Sequence, residues 1–299
     1  MADHATIVKN LARVDKLVDD EVQYAPNGVP LFRWLEISPI DVCNRKCLFC
    51  PKSDETVAPD QPNAVMQPVL FEKLSAELQD LNYEGTVMLA GYGEPILSRY
   101  IYDMVTAFSK VCNTEITTNG DPLTPKKIAR LLEAGAHKLV VSLYDGPEQV
   151  DQMHSLFKEA GAPEDSYILR DRWYNEDEDY GLKLTNRGGT IDFGADSAHC
   201  DTPCYYPAYM MMIDWNGDVF LCTQDWNRRI KSGNLNYESL LEVWNSSTLR
   251  RFRKQLHGAN RVSSPCKGCN ADGKKHGGQH AAAWDKFYGR KGPKLKEVF

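Results

Sequence analysis

The sequence contains no run of about 18 consecutive apolar residues, the length a helix needs to cross a bilayer, so no membrane span is expected. Its first thirty residues carry several acids and no apolar h-region, so no secretory signal is read there and the cytoplasm is the expected address. Basic residues are not in excess. The 35 Lys and Arg stand against 41 Asp and Glu, a net charge of −6, which argues against a broad nucleic-acid-binding surface. No internal repeat is found, and 25% charged with 42% hydrophobic residues excludes a disordered or fibrous chain. A length of 299 residues suits two units, or one α/β barrel with an appendage. Cysteine, by contrast, is plentiful. There are nine, mostly grouped, and in a chain without an export signal grouped cysteines read as metal ligands rather than disulfides.

Residues 1–33 read as a helical lead-in, with Ile7, Leu11, Val14 and Val18 on one stripe. Strands are predicted at residues 34–40, 86–90, 114–118, 138–143, 167–170 and 182–184. Between them lie a long loop over 51–68 and helices marked by Leu70, Leu74, Leu78 and Leu81, by Ile101, Met104, Val105 and Phe108, by Ile128 and Leu131, and by Val150, Met153 and Phe157. Ser98 and Thr124 are candidate caps. Such β/α alternation predicts a parallel sheet, closed or half-closed, with its chemistry at the carboxyl ends of the strands. The pattern changes near residue 195. Asn216-Gly217 between two apolar runs predicts a hairpin, followed by helices at 240–244 and 249–256 and a segment over 257–280 rich in Gly, His and Lys. The expected division is a lead-in (1–33), a core (34–195), a small C-terminal unit of hairpin plus helices (196–280) and a basic tail (281–299).

Cys43, Cys47 and Cys50 lie just past the first strand, at spacings of four and three. Three thiolates in so tight a loop can face one [4Fe–4S] cube and leave its fourth iron open to a small molecule. A zinc site completed by a distant Cys or His is the alternative. With Phe49 before the third cysteine, this segment resembles the signature of the radical S-adenosylmethionine superfamily. Gly91-Tyr92-Gly93-Glu94-Pro95 resembles that family's GGEP segment, with Tyr92 where a glycine is usual. Ile116 to Gly120 and Val141 to Gly146 resemble its third- and fourth-strand segments. The resemblance covers residues 34–195. It implies an α/β fold with a partial (β/α)6 barrel, a [4Fe–4S] cluster on three cysteines, and bound S-adenosyl-L-methionine. It further implies cofactor contacts from Phe49, Gly93, Glu94, Asn119 and Ser142, with Glu94 on the methionyl amine and Ser142 on the ribose or carboxylate.

Cys204, Cys222, Cys266 and Cys269 form a second group, able to hold structural zinc or an auxiliary cluster. Cys204, Gly217 and Cys222 resemble the opening of the SPASM-type auxiliary domain, and no cysteine follows Cys269. The arrangement therefore resembles the shortened, one-cluster Twitch version found in dehydrogenase-type members, which implies an auxiliary [4Fe–4S] cluster on four cysteines. Cys200, four residues before Cys204, is left over as an alternative candidate ligand, Cys112 reads as a buried thiol, and Gly277-Gly278 argues that His276 and His280 sit in a polar loop.

The implied reaction is reductive cleavage of S-adenosylmethionine, hydrogen-atom abstraction from a substrate, and transfer of the second electron to the auxiliary cluster. A reducing partner such as flavodoxin or ferredoxin is implied. Tyr144, Asp145, Arg170, Arg172 and Lys183 are the candidates near the barrel mouth for proton acceptance or substrate binding. A guanidinium stays protonated, so Arg170 suits anchoring better than general-base work. Asn186 to Gly189 read as a tight turn or a substrate contact. The short lead-in leaves no room for a leader-peptide domain, which favours a small polar substrate (a sugar or aminocyclitol) over a ribosomal peptide. A zinc-stabilised binding protein is the non-enzymatic alternative, and iron content separates it from the others.

Overall fold

The structure, a computed structural model, describes residues 4–172, 185–191 and 202–291. The strand expected at 182–184, together with Lys183 and Cys200, lies outside the described residues.

Alternation within each strand sets the architecture. In β1 (Trp34–Ile37), Leu35 and Ile37 point to one face and Trp34 and Glu36 to the other. The same parity holds in β2 (Thr86–Leu89), β3 (Asn113–Thr118), β4 (Lys138–Leu143) and β5 (Tyr167–Asp171). Val87, Leu89, Ile116, Leu139, Val141 and Leu169 join Leu35 and Ile37 in the main core. That face is covered by α2 (Pro68–Asp80), α3 (Ile101–Ser109), α4 (Pro125–Glu133) and α5 (Glu148–Glu159) through their apolar stripes. The opposite face stays polar and lines a cavity.

Among the described residues, eight strands form one sheet in the order β5-β4-β3-β2-β1-β6-β7-β8. Strands β1 to β5 run parallel, as the β/α repeats require. The continuation beyond β1 differs from the sequence expectation. The first strand of the predicted hairpin, β6 (Met210–Ile213), pairs parallel with β1, Glu36 opposite Met212. It is thus a sixth parallel strand of the core. β7 (Asp218–Phe220) and β8 (Lys231–Asn234) then extend the sheet antiparallel. The two cysteine-bearing regions share one sheet.

Thr124 caps α4, accepting from the Lys127 amide at 3.2 Å, with Pro125 in the first turn. Ser98 instead ends a 3₁₀ turn over Pro95–Leu97, and α3 begins beyond it. The lead-in is α1 (His4–Val18), which packs on β5. Arg13 on this helix pairs with Glu115 of β3, and its guanidinium lies 5.7 Å from the Trp34 ring, so α1 closes the amino end of the half-barrel.

The C-terminal helices are α6 (Tyr206–Tyr209), α7 (Leu240–Trp244), α8 (Ser247–His257) and α9 (Gly278–Lys291). The last was not expected. The segment read as a loop and a basic tail is helical from Gly278 to Lys291, with His280 inside it and fully buried. The stripe Ala281, Trp284, Phe287 and Tyr288 was the available signal, masked by Gly277-Gly278 and the flanking lysines. Trp284 meets Trp244 at 5.7 Å, and the buried Arg253 guanidinium lies over both indoles, at 3.6 Å and 4.0 Å. Trp244 also donates to the Pro30 carbonyl at 2.8 Å and meets Phe32 edge-on, joining α7 to the entry of β1. Trp244→Ala is expected to cost about 3–5 kcal/mol, read as a lowered urea midpoint with unchanged slope.

A three-thiol mouth beside a four-thiol pocket

The loop after β1 carries Cys43, Cys47 and Cys50, and all three line one cavity of about 350 Å³ at the carboxyl ends of the strands. The loop is held from beneath by ions. Asp41, with no exposed surface, forms an ion pair with the buried Lys52 at 2.8 Å and accepts from Gln61 at 3.1 Å. Lys52 also donates to the carbonyls of Asp41 and Pro59. Burial pushes all three thiols up, Cys47 to about 11, so a cationic partner is needed to hold them as thiolates. Cys43 Sγ accepts from the Arg45 amide at 3.5 Å and from Asn119 Nδ2 at 3.8 Å.

The segment after β2 fits directly against this loop. A Cβ on Gly93 would lie 2.3 Å from the Ile40 carbonyl oxygen and 2.7 Å from that of Val42, so only glycine allows the approach. The Glu94 amide then donates to Val42 O at 2.8 Å. The Glu94 carboxylate is buried and held by three donors: the Thr118 hydroxyl at 2.7 Å, the Asn119 amide at 2.8 Å and the Ile96 amide at 3.1 Å. Burial raises its pKa and those donors oppose the rise. A fixed carboxylate in the cavity wall can receive an ammonium group.

Ser142 and Arg170 meet across the β4–β5 register, with Arg170 Nη2 donating to Ser142 Oγ at 2.7 Å. Burial, then the neighbouring charge of Arg172, pushes the Arg170 guanidinium down to about 9. Tyr144 stacks on Phe49 at 5.5 Å and both line the cavity. Asp145 does not line it. Its exposed carboxylate accepts from Arg45 Nη1 at 2.8 Å, and this partner holds its pKa below the usual range. The Arg45 fork also engages Asp121, which ties the cysteine loop to the ends of β3 and β4.

Cys204, Cys222, Cys266 and Cys269 are buried and line a second, small cavity. Burial raises each thiol, Cys204 to about 11 and Cys266 to about 12, and the nearby thiols add to the rise on Cys204, Cys222 and Cys266. Four thiols drawn together, with backbone amides such as that of Ala271 donating to Cys269 Sγ at 3.4 Å, suit a multivalent metal centre, either zinc or an iron–sulfur cube. Arg261 fastens the rim, donating to the carbonyls of Thr202 and Pro203 at 2.9 Å each. Cys112 stands apart, buried in the main core.

Tyr92, the departure from glycine, joins the two cavities. It is buried, its ring lies 4.9 Å from Trp226, and its hydroxyl donates to the Asp225 carbonyl at 3.1 Å. Both residues follow closely on Cys222. Arg228 covers the same ring at 4.2 Å and reaches Asp41 at 3.0 Å and Asp214 at 2.7 Å. Several cavity residues had not been singled out in the sequence, Glu36, Arg13 and Arg45 among them. Glu36 was marked only by its polar place in an apolar strand, and burial raises it to about 7. Arg13 and Arg45 carried no local signal.

The arrangement is that of a half-barrel enzyme with a thiol-ligated metal cluster at its mouth, a cavity of substrate size behind it and a second sulfur-lined site alongside. A family model described as the radical SAM superfamily matches residues 37–166, and one described as SPASM, an iron–sulfur cluster-binding domain, matches residues 204–270. The S-adenosyl-L-methionine-dependent 2-deoxy-scyllo-inosamine dehydrogenase of Niallia circulans is 29% identical over 245 residues, covering 80% of this chain and 93% of that protein. The crystal structure of BtrN in complex with AdoMet and 2-DOIA superposes with a TM-score of 0.70 at 26% identity, covering 84% of this chain and 98% of that one. The structure of anSMEcpe with bound AdoMet shares the fold, at a TM-score of 0.52 and 15% identity over 86% of this chain and 93% of that one.

The chain thus carries a radical S-adenosylmethionine domain over residues 37–166 and a SPASM domain over residues 204–270. It is a radical S-adenosylmethionine enzyme with a SPASM-type auxiliary domain, and these two domains imply one [4Fe–4S] cluster that works with S-adenosylmethionine and a second, auxiliary cluster. Among the described residues no helix is long and apolar enough to cross a membrane.

Asp41→Ala leaves the buried Lys52 with Asp60, at 3.3 Å, as its remaining carboxylate and takes the buried partner from Arg228, and is expected to cost about 3 kcal/mol. The readouts are a lower urea midpoint and reduced iron retention; an unchanged midpoint would show that the pair contributes nothing.

Proposed function

We propose that this enzyme oxidises a hydroxyl-bearing carbon of a small polar substrate by two electrons, as a dehydrogenase. The observation that carries the reading is the single cavity with three thiols at its mouth, polar barrel side chains behind them, and Thr223 and Trp226 in its wall one and four residues past Cys222 of the second thiol group. The similarity to a protein named as a 2-deoxy-scyllo-inosamine dehydrogenase supports a small substrate over a peptide.

In this reading Cys43, Cys47 and Cys50 hold the first cluster, and Cys204, Cys222, Cys266 and Cys269 hold the auxiliary one. Glu94 receives the methionyl ammonium, with Gly93 and Asn119 shaping its pocket. Phe49 and Ser142 contact the rest of S-adenosylmethionine. When bound, the two clusters and S-adenosylmethionine supply a hydrogen-abstracting radical and an acceptor for the remaining electron. The protein must hold the target C–H against that radical and exclude other donors. Tyr144 and Arg170 line the wall that orients the substrate. Glu36 is suited to take the hydroxyl proton, because burial places its carboxyl near neutrality, while Arg170 stays cationic at that pH. A one-electron donor such as flavodoxin or ferredoxin completes the system, and labile clusters on reduced thiols suit the cytoplasm.

Anaerobically reconstituted protein is expected to contain about eight irons per chain and to release 5′-deoxyadenosine with dithionite. Zinc without iron or nucleoside would overturn the reading. Cys43→Ala is expected to lose cleavage, whereas Cys266→Ala keeps some cleavage and loses oxidised product. Product formation needs the ionised form of Glu36, so it is expected to rise with pH through about 7. Glu36→Gln should abolish that rise while retaining cleavage. A rise that survives in Glu36→Gln would assign the proton to another group.

A further inference from the structure

The cationic side chains that line the cavity differ in what balances them. Arg13 pairs with Glu115, Arg45 with Asp121 and Asp145, and Lys52 with Asp41 and Asp60. Arg170 and Arg187 have no carboxylate at ion-pair distance among the described residues, Glu36 acting on both only from beyond that distance, and each has a buried Nε without a hydrogen-bond partner, as Arg13 also has. Leaving such donors unmet costs free energy unless a ligand meets them.

Arg187 is also placed at a cost. Residues 187, 188 and 189 are all left-handed, with φ of 50°, 66° and 81°, and Arg187 is the one that is not glycine. Such a conformation is unfavourable for a non-glycine residue and persists where the surroundings enforce it. Here they do. Asn186 exchanges hydrogen bonds with Asn270 and donates to Gly268 O at 2.6 Å, which fastens the turn to the loop between Cys266 and Cys269. Gly188 lies so close to the Gln224 carbonyl that a Cβ would approach its oxygen to 2.5 Å. The turn thus sends a guanidinium from the auxiliary site into the cavity.

The bound cofactors do not meet the Arg187 guanidinium inside the cavity. A three-thiolate [4Fe–4S] centre carries one net negative charge and S-adenosylmethionine one net positive charge. The auxiliary centre on four thiolates carries two net negative charges, but it belongs to the second cavity, which Arg187 does not line. The ammonium of S-adenosylmethionine is met by Glu94, and its one carboxylate can engage one guanidinium. Arg170, bonded to Ser142, is the guanidinium beside the proposed cofactor contacts. Arg172 also lines the cavity but is not without a partner, so Arg187 is left for the substrate.

We propose that the substrate carries an anionic group, a carboxylate or a phosphate ester, and that Arg187 holds it. This rests on the reading of the cavity as an oxidising active site, and it separates this enzyme's substrate from an aminocyclitol, whose amine is cationic. The hydroxyl-bearing carbon then faces the cofactor side, with the anionic end against the auxiliary-site turn.

The test is anaerobic calorimetry on oxidised, reconstituted holoenzyme with S-adenosylmethionine present, so that nothing turns over. Four probes share one ring: glucose, glucosamine, glucuronate and glucose 6-phosphate. At least one anionic probe is expected to bind about tenfold or more tighter than glucose and glucosamine, and the tighter of the two distinguishes carboxylate from phosphate. Arg187→Gln should erase that preference, and Arg187→Lys should keep part of it. Affinities that are alike for all four probes, absence of binding included, overturn the proposal, as does a preference that persists in Arg187→Gln. The same preparations are assayed for 5′-deoxyadenosine release without a probe. Release accompanied by flat affinities sinks the anion site alone, whereas absence of iron and release sinks the underlying reading.

Discussion

The buried carboxylate of Asp41 is the point on which both halves of the site depend. A carboxylate without exposed surface is tolerated only when its charge and lone pairs are met. Here the charge is balanced from opposite sides, by Lys52 at the base of the first cysteine loop and by Arg228 beyond the second hairpin strand, while Gln61 donates to Oδ2. The ion pairs of Asp41 therefore tie the first cysteine loop to the segment that follows Cys222. Arg228 adds Asp214 and the face of Tyr92 to the same network. The tyrosine that departs from the family's usual glycine is thereby part of the joint between barrel and auxiliary unit.

Sheet continuity gives the joint its stiffness. Because β6 pairs parallel with β1 and β7 pairs antiparallel with β6, the strand that leads to Cys43 and the strand that leads to Cys222 lie in one hydrogen-bonded sheet with β6 between them. A site assembled on such a frame loses little freedom when its cofactors bind, which is how a protein holds a reacting C–H against one radical and away from others. Close backbone approach serves the same end. Gly93 against Ile40 and Val42, and Gly188 against Gln224, place loops at separations that side chains would forbid.

Electrostatics then divide the cavity. The buried thiols of both groups are raised, so they become ligands only when iron compensates them. Glu94 is fixed by three donors and presents a formed acceptor, while Glu36 lies near neutrality and is free to exchange a proton. Arg170 and Arg187 provide positive charge on the remaining wall. The balance suits a zwitterionic cofactor together with an acidic co-substrate.

Much of this was legible in the residues taken in order. The cysteine spacings, the Gly-Tyr-Gly-Glu-Pro segment and the strand-end Asn119 and Ser142 are local patterns, because each depends on a loop of a few residues following one strand. The helix caps and apolar stripes follow from short-range periodicity in the same way. What could not be read were the partnerships. The pairing of β6 with β1, the engagement of Asp145 by Arg45, the entry of Arg13 from the first helix and the burial of α9 join residues roughly tens to hundreds of positions apart, and no local propensity encodes such contacts. The sequence by itself determined which chemistry the chain can carry, since ligand type and spacing are covalent facts. Only the tertiary structure decided which charges are already satisfied and which still face the cavity, since that depends on long-range burial and ion pairing.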